Sequence, residues 1–155
     1  MTNKRNPHTT RLKIMTAAFE EIHKHGFQGM RVDRLLDKTG LKKGALYHHF
    51  ASKQELGYAV FEELIQQRIT ELWINPLKDF KDPLEGIYTI CQQLEKSWDE
   101  EFFKLGCPLN NLAQEMSPID EGFRTRIDNF FQRWKATIAE ALKKGQQQGI
   151  IDLAV

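Results

Sequence analysis

Apolar residues along the chain recur at intervals of three and four, and no stretch alternates convincingly with period two between hairpin turns, so the pattern predicts an all-α protein. Ile14, Ala18 and Ile22 form one row and Met15 with Phe19 a neighbouring row, predicting a first helix from about Thr10 to His25. Gly26 should end it, because glycine takes the left-handed conformation at a helix terminus without a Cβ penalty, and Phe27 can fold back onto the last turn. A second helix, about Asp33 to Thr39, turns Leu35 and Leu36 inward and stops at Gly40, and a third covers Lys43 to Phe50. Ser52 opens a fourth through a capping box with Glu55, and this helix should run to Ile74, before Asn75-Pro76. Asp82-Pro83-Leu84-Glu85 repeats the start signal, and a fifth helix then carries Leu84, Ile87, Tyr88, Cys91, Leu94 and Trp98. Pro108 to Met116 reads as a short sixth. Ser117-Pro118-Ile119-Asp120 opens a long seventh, whose stripe of Phe123, Ile127, Phe130, Phe131, Trp134, Ile138 and Leu142 fades before Gly149.

The third segment, "GLKKGALYHHFASKQEL" from residue 40, is unusually polar between two strongly helical stretches. On a helical wheel Leu46 and Phe50 lie within about 40° of each other, while Gly44, Ala45 and His48 point the other way and Tyr47 and His49 flank them. Small residues at the amino end of a helix allow close approach to the floor of a major groove, and Lys42 and Lys43 stand where positive charge meets phosphate or guanine acceptors. Helix, short turn through Gly40-Leu41 and polar helix form a helix-turn-helix pattern. Charge sharpens this picture. Residues 1–56 hold 11 Lys+Arg against 5 Asp+Glu, net +6, and the remainder 11 against 16, net −5, so a polyanion partner is expected for the first part alone. All five histidines also fall in the first fifty residues.

The 155 residues, 41% hydrophobic and 28% charged, suit one compact domain or a small module attached to a larger one. No apolar run approaches the roughly 20 residues that span a bilayer, and the first fifteen residues lack the apolar centre of a secretory signal, so a cytoplasmic protein is expected. Cys91 and Cys107, sixteen positions apart, form no CxxC pair, and reduced thiols are expected. His23 with His25 and His48 with His49 are spaced so that each pair diverges on a helix, and no metal or other cofactor is expected. Neither a nucleophile with its base, nor paired catalytic carboxylates, nor a GxxxxGK[ST] phosphate loop is found, which argues against an enzyme.

The stretch from Thr10 to Val60, with "RLKIMTAAFEEIHKHGF", "VDRLLDKTGLKKGALYHHFASKQEL" and the following "GYAV", closely resembles the amino-terminal DNA-binding domain of the TetR family of bacterial transcriptional regulators. In that family a helix with an "aA..lf...G" pattern precedes a helix-turn-helix ending in "G.lY.hF.sK..L". The resemblance implies a recognition helix bearing Lys43, Gly44, Ala45, Tyr47, His48 and His49, with Lys53 at a phosphate-contacting position. Arg31 falls where the family usually has a small hydroxylic residue, within reach of phosphate and without that residue's capping group. Leu36-Asp37 replaces the frequent apolar-alanine pair. The implied architecture is a three-helix DNA-binding domain over residues 1–51, followed by a helical effector-binding and dimerisation domain over residues 52–155. Members usually continue beyond a segment like "KKGQQQGIIDLAV" into helices that pair across a dimer, so the second domain reads as shortened, or the dimer uses other surfaces such as the seventh helix. The implied partners are double-stranded DNA, a small-molecule effector and a second copy of the chain. The rival reading is a shortened helical relative that acts by protein interaction without binding an operator.

For the effector, candidate pocket walls are Tyr88, Trp98, Phe102, Phe103, Phe130 and Trp134, with Cys107 and Asn111 from "FFKLGCPLNNLAQEMSP" beside them. Each has a plainer reading as core or helix-cap residue. Cys107 would sense oxidants or electrophiles only with a stabilised thiolate.

Overall fold

The structure, a computed structural model, describes residues 7–97, 99–152 and 154, and the described residues form an all-α fold. Helix α1 is Pro7–Gly29, with a break at Gly26 (φ 74°, ψ 164°), so the regular spiral stops where expected and one further turn follows. Helices α2 (Val32–Thr39) and α3 (Lys43–His49) are joined through Gly40, which takes φ 64°, ψ 23° and returns its N–H to Leu36 O at 2.8 Å. Helix α4 begins at Lys53–Val60 with the Ser52 hydroxyl accepting from the Glu55 amide at 3.1 Å.

The spiral of α4 does not stop at Ile74. It widens into π-helical turns at Phe61–Gln66 and Thr70–Ile74 and closes with Asn75–Leu77. The second wide turn explains how Pro76 is accommodated: the Asn75 N–H reaches back five residues to Thr70 O, and Pro76, next in line, has no donor to place.

Helix α5 (Pro83–Ser97) is capped by Asp82, whose carboxylate accepts from the Leu84 amide at 2.8 Å. Its inward face differs from the expected one. Pro83, Gly86, Ile90 and Leu94 are buried, whereas Leu84, Tyr88 and Cys91 are exposed. A short helix that the periodicity did not reveal, α6 (Glu100–Leu105), precedes α7 (Pro108–Met116), and Asp120 caps the long α8 (Glu121–Gln147). One core runs through the molecule. Ile14, Leu35, Leu46 and Phe50 share it with Phe61, Leu112, Phe123 and Phe130, so the turn after Ala51 is a boundary in chain direction but not in packing. A smaller cluster of Leu77, Ile90 and Leu94 joins α5 to the end of α4.

Candidate nucleic-acid interface

Helix α3 is held from behind. Leu46 is 1% and Phe50 4% exposed, and the Arg11 guanidinium lies 5.0 Å from the Phe50 ring while forming a two-point ion pair with Glu63 at 2.5 and 2.6 Å. The preceding turn is tied to α1 by Lys13, whose ammonium donates to Thr39 O at 2.8 Å.

Outward, Gly44 and His48 are exposed and Ala45 partly so; a Cβ added at Gly44 would meet nothing within 4 Å. Tyr47 is 40% exposed with the Lys43 ammonium 6.0 Å from its ring centroid, and the rings of His48 and His49 lie 5.4 Å apart. The cations divide into two groups. Arg34 and Lys38 on α2 pair with Glu21 and Glu20 of α1, but Arg31, Lys42 and Lys43 enter no ion pair among the described residues. Within this helix pair, the positive charge left out of ion pairs lies at the amino ends of α2 and α3, where helix dipoles also favour an anion. Arg31 stands at the N-cap of α2 in extended conformation with no side-chain cap bond, because a guanidinium has no acceptor to offer the first amides.

Lys53 has partners within the protein. It is half-buried, donates to Gln28 O at 3.1 Å and covers the Phe27 ring at 5.1 Å. Burial pulls its ammonium below the ordinary lysine range, and the Glu115 carboxylate opposes that effect.

The expected effector residues that the structure describes lie in several places. Tyr88 is 64% exposed, with Gln92 donating to its hydroxyl, and Phe103 is 59% exposed. Phe130 belongs to the main core, and Trp134 stacks half-buried between Trp73 and Phe131. Phe102 packs beside His23, Cys107 is exposed at the N-cap of α7, and Asn111 donates to Leu105 O at 2.7 Å. Trp98 lies outside the described residues. Two open clefts border some of them: about 510 Å³ between α1 and α6, beside Phe19, His23, Asp99 and Phe102, and about 390 Å³ along α8 over Phe131, Trp134, Ile138 and Leu142.

What sequence reasoning missed is the seam behind α2 and α3. The Glu115 carboxylate accepts from the Phe27 and Gln28 amides at 2.8 and 2.9 Å, and the His23 ring donates to Gly106 O at 2.7 Å. The Tyr58 hydroxyl donates to Asp120 at 2.9 Å, and the Arg126 guanidinium lies over the Tyr58 ring at 4.0 Å while bonding Glu62. Among these, only Asp120 as a cap had a sequence signal.

Residues 14–60 match the family described as "Bacterial regulatory proteins, tetR family", and residues 83–150 match "Transcriptional regulator LmrA/YxaF-like, C-terminal domain". The chain is 31% identical over 137 residues to an HTH-type transcriptional regulator in the lacX 3' region of Lactococcus lactis, covering 88% of this chain and 70% of that one. It is 28% identical over 148 residues to the HTH-type transcriptional repressor NemR of Escherichia coli, covering 94% and 73%. The crystal structure of reduced E. coli NemR superposes with a TM-score of 0.72 over 91% of this chain and 73% of that one. A TetR regulatory protein from Rhodobacter sphaeroides shares the fold at 24% identity, with a TM-score of 0.77 over 89% and 73%. With both segments matched and the helix-turn-helix in place, the chain belongs to the TetR family of bacterial transcriptional regulators.

Proposed function

We propose that this DNA-binding regulator is a ligand-responsive repressor that binds a palindromic operator as a dimer. Two α3 helices would enter successive major grooves about 34–36 Å apart, and an effector would act by changing their spacing. The observation that carries the reading is the two-sidedness of α3: Leu46 and Phe50 are buried while Gly44, His48 and the unpaired Lys42 and Lys43 face outward. Lys43 and His48 are the candidates for reading base edges. Arg31, Lys42 and Tyr47 are candidates for phosphate, and Ala45 and His49 for the fit to the groove. Repression is supported by the names of NemR and of the DhaR repressor of a Mycobacterium species. Self-association is supported by the open apolar groove along α8.

The test is a gel-shift titration on DNA flanking the gene. Lys43→Ala and Tyr47→Ala proteins that keep their helical circular dichroism should lose the shifted band; retention of full affinity by both refutes the assignment. The same α8 groove favours the second reading, a protein-interaction role without an operator. Sedimentation with and without DNA at low salt separates the two, because only the regulator should sediment as a dimer that carries DNA.

A further inference from the structure

Gly26 breaks the hydrogen-bond ladder of α1, so the Phe27 and Gln28 amides lose the carbonyls four residues back that a continuous helix would supply. The turn that follows is a separate unit, closed by Met30 N–H to Gly26 O at 3.0 Å. Its two orphaned donors are taken by one carboxylate from another part of the fold, Glu115 of α7, at 2.8 and 2.9 Å. Such charge-assisted pairs are the stronger kind of hydrogen bond. The carboxylate occupies the space a side chain at position 26 would need, since an added Cβ there would stand 2.8 Å from both oxygens.

This turn leads directly into α2. Only Met30 separates Gly29 from Arg31, the N-cap of α2, so any tilt of the turn passes directly into α2 and α3. The turn is also gripped from the other side. Gln28 O accepts from Lys53, and the Phe27 ring is wedged against Gly57 and the Phe123 ring, whose centroid is 4.8 Å away. The α6–α7 junction is fastened to α1 as well, through Gly106 O, which accepts from His23.

We propose that Glu115 is a positioning residue for DNA binding: by holding the two freed amides after Gly26 it fixes the angle at which α2 and α3 are presented, and links that angle to α7. The inference rests on the DNA-binding reading. Charge makes it sharply testable, because electrostatics alone predict that removing a carboxylate near a DNA-binding surface tightens binding, whereas loss of positioning weakens it.

The full-length wild-type protein would be used to enrich a duplex from a random-sequence pool, and binding of that duplex measured by fluorescence anisotropy across a salt series. Glu115→Ala is expected to bind at least about fivefold more weakly, with unchanged circular dichroism and an unchanged slope of log affinity against log salt, since no phosphate contact is lost. Glu115→Gln, which keeps one good acceptor, should fall between, and amide exchange at Phe27 and Gln28 should accelerate in the same order. If Glu115→Ala does not fold, Glu115→Gln decides by the same readings. A variant that binds as tightly as wild type, or more tightly, overturns the proposal alone. A wild-type protein that enriches no duplex overturns the DNA-binding reading and this proposal with it.

Discussion

Two glycine-to-alanine substitutions of identical chemistry should move stability in opposite directions. Both sites are helical, and helix propensity alone predicts a gain of up to about 1 kcal/mol for each. At Gly44 on α3 nothing opposes that gain, since the new methyl group meets nothing within 4 Å. At Gly57 on α4 the added Cβ would lie 2.3 Å from Cε2 of Phe27 and 2.8 Å from Cζ of Phe123. Both rings are buried, at 3% and 0% exposure. Overpacking of this kind typically costs about 1–3 kcal/mol, and contacts so short place Gly57→Ala at the upper end. The net loss is then about 1–2 kcal/mol, or a fall in Tm of roughly 2–8 °C for a chain of this size, against a rise of up to about 4 °C for Gly44→Ala. Thermal melts followed by far-UV circular dichroism measure both. The gain at Gly44 should come with weaker DNA binding, because the methyl group stands on the face proposed to approach the groove floor. A Gly57→Ala protein as stable as wild type refutes the packing argument at the seam; a Gly44→Ala protein that melts earlier refutes the outward placement of that face.

Lys43→Ala should leave stability within about 0.5 kcal/mol and cost sequence preference with little change in the salt slope of DNA binding, as a base-reading residue would; a slope reduced by about 0.9 assigns Lys43 to phosphate instead and refutes that role. Burial would raise the pKa of Asp120, but bonds from the Phe123 amide, the Tyr58 hydroxyl and the Gln54 side chain hold it below the ordinary aspartate range. A carboxyl depressed on folding contributes stability above its unfolded pKa of about 4 and loses it as pH falls through the lower folded value. The difference in Tm between wild type and Asp120→Asn should therefore be full at about pH 6 and shrink below about pH 4, and a pH-independent difference refutes the charged role. Cys91 and Cys107 are both exposed, so a maleimide should label two thiols without denaturant; a count of one or none refutes their placement.

The inward face of α3 was legible because its information is local. Leu46 and Phe50 four apart, a glycine at the turn and small residues opposite fix which side of α3 faces in without reference to distant sequence. The inward face of α5 was not, and Gly86 explains the error. Phe80 packs where its Cβ would be, 2.9 Å from that position, so a residue with no side chain forms part of the buried face. A search for large apolar groups rotates the wheel instead towards Leu84, Tyr88 and Cys91. Helix α6 escaped because six residues give too few turns for periodicity, although the Asp99 side chain accepting from the Phe102 amide is a cap of the same kind that identified α8. The seam is illegible for a deeper reason. Glu115 binds backbone amides, and His23 and Lys53 bind backbone carbonyls. A side chain aimed at the main chain has no partner residue type to betray it, so pairing Glu115 with residues 27 and 28 requires knowing that Gly26 turns the chain to ψ 164° and frees those two N–H groups. The amino-acid code thus specifies the surface proposed to meet DNA in side chains, and the bracket proposed to hold it in backbone geometry.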